Sequence, residues 1–68
     1  MGKGKRDDQG RLTYSEYTIE DELTNKYKIN YTYGDGVITK KVTLNQTGEF
    51  EGDMVNRTVK YTITERYK

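Results

Sequence analysis

Sixty-eight residues carry 12 basic against 11 acidic side chains, with no cysteine and no histidine. That makes one small domain and excludes disulfides, the common zinc arrangements and nucleophile systems built on Cys or His. The net charge of +1 argues neither for nucleic acid nor for an acidic partner. No apolar run exceeds two residues, so a soluble chain without a signal-peptide core or a transmembrane helix is expected.

The apolar fraction of 31% is low, yet seven Tyr and ten Thr are present. Both types favour strands, and disordered segments are poor in aromatics, so an all-β fold is expected. Ala, Pro and Trp are absent. Two origins fit that bias: a natural sequence under strong β selection, or a de novo designed β protein, in which Ala and Pro are kept out of strands.

Residues 1–10 (MGKGKRDDQG) are charged and glycine-rich and read as a flexible N-terminal arm, its Lys3, Lys5 and Arg6 able to touch phosphates. Residues 11–68 read as a single β domain. A first strand is expected from Leu12 to about Glu20. Leu12 and Tyr14 share one parity, Tyr17 and Ile19 the other, so a β-bulge near Ser15-Glu16 is needed to gather all four on one face. Thr18 with Glu20, Asp21 and Glu22 also has the look of a helix start, and one helical turn around Glu20 to Asn25, with Leu23 tucked under the sheet edge, is the competing expectation.

Lys26 to Tyr33 and Val37 to Asn45 alternate apolar and polar on either side of Gly34-Asp35-Gly36. A two-residue turn at Asp35-Gly36 sets Tyr33 opposite Ile38, Ile29 opposite Val42 and Tyr27 opposite Leu44. A slip of one residue would send them all to the other face. Lys40 falls on the apolar parity, which calls for a sheet open to water there or a bulge at Lys40-Lys41. Gln46-Thr47-Gly48 reads as a three-residue loop that sets Leu44 opposite Phe50, and Gly52-Asp53 as a turn with Gly first. This leaves a short strand, Gly48 to Glu51, and a last strand of about fourteen residues. In that strand Val55, Val59, Tyr61, Ile63 and Tyr67 share a face, with Arg57 as the exception. Its outer half has no partner in a four-residue strand, so pairing with the first strand is expected. That would close an antiparallel meander of about five strands into an SH3-like or similar small barrel, or a compact sandwich.

The expected core is Leu12, Tyr14, Tyr17, Ile19, Tyr27, Ile29, Tyr31, Tyr33, Ile38, Val42, Leu44, Phe50, Val55, Val59, Tyr61 and Ile63, with Tyr67 at its margin. Each buried phenol needs a hydrogen-bond partner or a route to water. Either the core is thin, with hydroxyls at its rims, or part of the tyrosine face is open surface.

Candidate chemistry is sparse, and neither an enzyme nor a cofactor is expected. Glu49 and Glu51 sit two apart, as a glycosidase pair might, but on a solvent-facing short strand. Glu20-Asp21-Glu22 lacks the spaced oxygens of a calcium loop. Gly34-Asp35-Gly36 has no helix or Lys-Ser/Thr after it, as a phosphate loop requires. Three Asn-X-Thr triplets, at Asn30, Asn45 and Asn56, are what chance supplies in a threonine-rich chain. The candidate contact residues for nucleic acid or a partner are Lys26, Lys28, Lys41, Lys60, Arg66 and Lys68. Small barrels bind single strands with a basic groove and stacking aromatics, whereas here Tyr and Lys take opposite faces. The sequence therefore reads first as a non-enzymatic β-sheet scaffold or protein-interaction module, with self-association or a protein partner added along an edge strand. Single-stranded nucleic-acid binding is the alternative.

Overall fold

The computed structural model describes residues 2–67. They form a single antiparallel sheet whose strand order follows the chain: β1 (Gly2–Arg6), β2 (Leu12–Glu20), β3 (Thr24–Gly34), β4 (Val37–Phe50) and β5 (Asp53–Arg66). Residues 2–6 of the charged N-terminal stretch thus add an edge strand. None of the described residues forms a helix that is long and apolar enough to cross a membrane.

The central hairpin has the expected register. Gly34 pairs with Val37 around Asp35-Gly36, and Tyr33, Ile29 and Tyr27 stand opposite Ile38, Val42 and Leu44. Gly36 supplies the left-handed residue of the turn, at φ 72°.

Three expectations are corrected. Gln46-Thr47-Gly48 is no loop: β4 runs unbroken through it, pairing Gly48 with Val55 and Phe50 with Asp53. The glycine answers a different need. Gly48 is at φ 139°, and a Cβ there would lie 3.2 Å from Cδ2 of Leu23. The β2–β3 loop folds Leu23 over this spot with no helical turn. The next turn is consequently Glu51-Gly52 rather than Gly52-Asp53, with both residues left-handed at φ 54° and 85°, the signature of a type I′ hairpin.

The second correction concerns closure. A fourteen-residue β4 gives the fourteen-residue β5 a partner along its whole length. The reason for wrapping round to β2 disappears, and the sheet stays open, neither a barrel nor a sandwich. β1 and β5 are its two free edges.

The third concerns Tyr14. The bulge lies at Thr13, not at Ser15-Glu16: Lys5 pairs with Tyr14 and Arg6 with Leu12. Thr13 is left over, and its hydroxyl donates to the Lys5 carbonyl at 3.2 Å. From Tyr14 onward β2 alternates cleanly against β3, which leaves Tyr14 on the opposite face from Tyr17 and Ile19. There its hydroxyl donates to Glu16 at 2.8 Å.

Opposed residues in an antiparallel ladder share a face, so the registers define two. One rung carries Ser15, Ile29, Val42 and Tyr61, and the next Tyr17, Tyr27, Leu44 and Val59. This is the aromatic face. Apart from Leu23 over Gly48 at one end, no described element is layered on it. Of the expected core only Val42, at its centre, is buried. Tyr17 and Tyr27 stack with ring centroids 4.7 Å apart, while Tyr17, Val59, Tyr61 and Ile63 are each about two-fifths exposed, at 39–43%.

The shape agrees. A compact chain of this length has a radius of gyration of about 11 Å; this one has 14.7 Å and measures 47 × 21 × 14 Å.

Candidate interaction surface

Several polar side chains on the aromatic face are tied down. Lys40 keeps its place on the apolar parity without a bulge. Its amine pairs with the Glu65 carboxylate and lies 6.0 Å from the Tyr31 ring centre. The hydrogen bond to Glu65 raises the Lys40 pKa above its ordinary 10.5. Arg57, the parity exception, donates to the Gln46 side-chain carbonyl. Gln46 in turn donates to Asn25 at 2.8 Å, and the Asn25 amide reaches Ile19 O, Asp21 and Leu23 O. Asn25 is buried, and this chain of amides satisfies it while holding the β2–β3 loop to the sheet.

Three phenols are tied down as well. Tyr33 donates to the Leu12 carbonyl at 2.7 Å beside the bulge, under the Arg11 guanidinium 4.7 Å from its ring. Tyr31 shares a 3.0 Å hydrogen bond with Ser15. Tyr67 donates to Gly34 O at 3.0 Å, and Tyr17 is raised above its ordinary 10.0 by desolvation first and by neighbouring phenols second. With these groups engaged, the centre of the face presents carbon and the hydroxyls of Tyr17, Tyr27 and Tyr61 to whatever meets it.

The opposite face is threonine and lysine. The candidate contact residues Lys26, Lys28, Lys41, Lys60 and Arg66 all fall here, opposite Asn45, Thr43, Asn30, Thr43 and Val37. Lys28 and Lys60 flank Thr43 on one rung, and Lys41 stands one rung along. Lys68 lies outside the described residues. Sequence reasoning placed Lys3 and Lys5 in an arm; the structure brings them to this face too, opposite Glu16 and Tyr14. The alternation Gly2-Lys3-Gly4-Lys5 was the signal for it. Seven cations thus share the face with Glu16, Glu20 and Glu49, and most other acids lie in the turns. A net charge near zero conceals a basic side. Neighbouring strands are about 4.8 Å apart, so cations two strands apart are about one Debye length from each other in 0.1 M salt, and their repulsion is partly screened.

Glu49 pairs opposite Met54 in β4 while Glu51 sits in the turn, so the two acids are not held as a facing pair.

Comparisons with protein-family models, with curated proteins and with solved structures find no match to this chain.

Proposed function

We propose that the chain is a non-enzymatic β-sheet interaction module, a scaffold of natural or designed origin that works through its aromatic face. The observation that carries this reading is the uncovered sheet side itself. Isolated apolar side chains on a surface need no explanation, but a continuous apolar patch does. Here it spans three strands around Val42, and several of its polar members are partnered, which leaves carbon, ring edges and the hydroxyls of Tyr27 and Tyr61 as the available chemistry.

The neutral dye Nile red tests it, because a neutral probe ignores the basic side. Dilute folded protein is expected to brighten and blue-shift the dye. Val59→Lys on the aromatic face cuts that signal several-fold, and Lys60→Thr on the other side leaves it unchanged. A folded wild-type chain that leaves the dye dark, or equal responses from both variants, would refute the reading.

The gathering of Lys3, Lys5, Lys28, Lys41 and Lys60 favours a second reading, binding of a single nucleic-acid strand. Sequence-independent binding needs both phosphate contacts and stacking rings, and Tyr14 is the tyrosine that shares the basic side. Titration with a random oligonucleotide at low salt is expected to give affinity that falls steeply as salt rises. Absence of binding at low salt removes this second reading.

A further inference from the structure

We infer that the occupant of the aromatic face is a second copy of this chain, stacked face to face about a two-fold axis over β4 to make a ten-stranded sandwich. The inference rests on the interaction-module reading and names its partner.

Area is the first support. A compact protein of 8.0 kDa exposes about 4,500 Å², while this chain exposes 5370 Å². The excess, roughly 900 Å², is close to the ~800 Å² that each partner contributes to a standard stable interface. The sheet is large enough to supply it, at 47 by 21 Å. The missing second layer and the extra surface are the same quantity seen twice.

Charge decides which side and which partner. On the aromatic face Lys40 and Glu65 neutralise each other, and Arg57 is engaged by Gln46. Near its centre this face therefore offers a copy no uncompensated charge; Arg57, which Gln46 engages without neutralising, and Asp53 lie toward the β4–β5 turn. The other side carries seven cations against three acids, so two such sides would repel, and in a sandwich both remain outermost in water. An isologous contact needs a surface complementary to itself. A mainly apolar stripe, Ile29, Val42, Leu44, Val59, Tyr61 and Ile63, with the one ion pair Lys40–Glu65 beside it, satisfies that without further matching. Two twisted sheets pack this way at about −30° with a layer spacing near 10 Å. β1 presents Gly2 and Gly4 opposite Tyr17 and Ser15, so the stripe fades toward that edge and centres on β4.

Sedimentation equilibrium tests the assembly and a cross-link tests its geometry. The wild-type chain is expected to dimerise in the micromolar range, Val59→Lys to raise the dissociation constant at least about thirty-fold, and Lys60→Thr to leave the dimer intact. Because the chain has no cysteine, Leu44→Cys and Thr43→Cys each carry a single thiol, on opposite sides of β4. A short bismaleimide should join two Leu44→Cys chains and not two Thr43→Cys chains. This decides the matter even where Val59→Lys loses its far-ultraviolet β signal. A dimer that resists Val59→Lys and gives no Leu44→Cys product would be an edge-to-edge assembly through β5, and would overturn the inference. So would a monomer at several hundred micromolar. In that case, continued Nile red binding would leave the interaction-module reading standing with another occupant, whereas loss of dye binding in the dilute monomer would sink that reading itself.

Discussion

Glu51 holds the one non-glycine left-handed backbone among the described residues, at φ 54°. An L-residue there costs roughly 1–2 kcal/mol unless, like Asn, its side chain tolerates the region, and Asn-Gly is the preferred pair for this turn. Glu51→Asn should therefore raise stability by about 0.5–1 kcal/mol, read as a later urea midpoint at unchanged slope. A lower midpoint would mean that Glu51 makes a compensating contact. Nothing in the sequence flagged this residue, because Gly52-Asp53 and Glu51-Gly52 share the same glycine and differ by one step of register. The buried centre was legible only in part: Val42 stood among many expected core residues through its pairing with Ile29 across the first turn, and its pairing with Tyr61 follows only from the unbroken β4.

Among the strands, what could be read was set by how many signals converged. The β3–β4 hairpin had alternation on both sides and one turn length that satisfied both, so its register followed. The stretch from Gln46 to Gly48 had only a glycine, and glycine marks a turn, a bulge or a close approach equally well. Here it is the last: Leu23, 25 positions earlier in the chain, needs the space that a side chain would fill. No local pattern encodes such a contact. The bulge in β2 serves a different end from the one the parities suggest: at Ser15-Glu16 it would have gathered all four side chains, whereas at Thr13 it brings Leu12 to the face of Tyr17 and Ile19 and leaves Tyr14 on the other. The nucleotide-facing hypothesis fared similarly: five of its six residues came to a common side because they share strand parity, while Lys3 and Lys5 required knowing that the charged leader pairs with β2.

Across the whole molecule, openness was hinted at by the tyrosines and concealed by strand length. A buried layer of seven phenols would need seven partners. An exposed one needs few, and the face is in fact open. Titration of the whole follows from that. Tyr14 is raised by its hydrogen bond to Glu16, Tyr17 by desolvation, and Lys40 by Glu65. For each, the folded pKa exceeds the unfolded one, so its contribution is complete below the unfolded value, 10.0 or 10.5, and disappears as pH climbs through the raised folded value. Asp7 runs the other way. Held low first by the Arg11 backbone amide, it supports the fold above its unfolded 3.8 and ceases to as acid passes its depressed folded value. The urea midpoint should accordingly be flat from about pH 5 to 9 and decline beyond about 10, with Tyr17→Phe softening the alkaline decline. A slope already present between neutrality and about pH 9 would contradict this assignment.

Strand order that copies chain order has a last implication, for how the sheet comes into being. Every ladder joins sequence neighbours, so no segment waits for a distant one to arrive, and loop-closure entropy stays small at each step. Assembly can start at the well-specified central ribbon and zip outward in both directions. The two rims are then the last laid down and the first to fray.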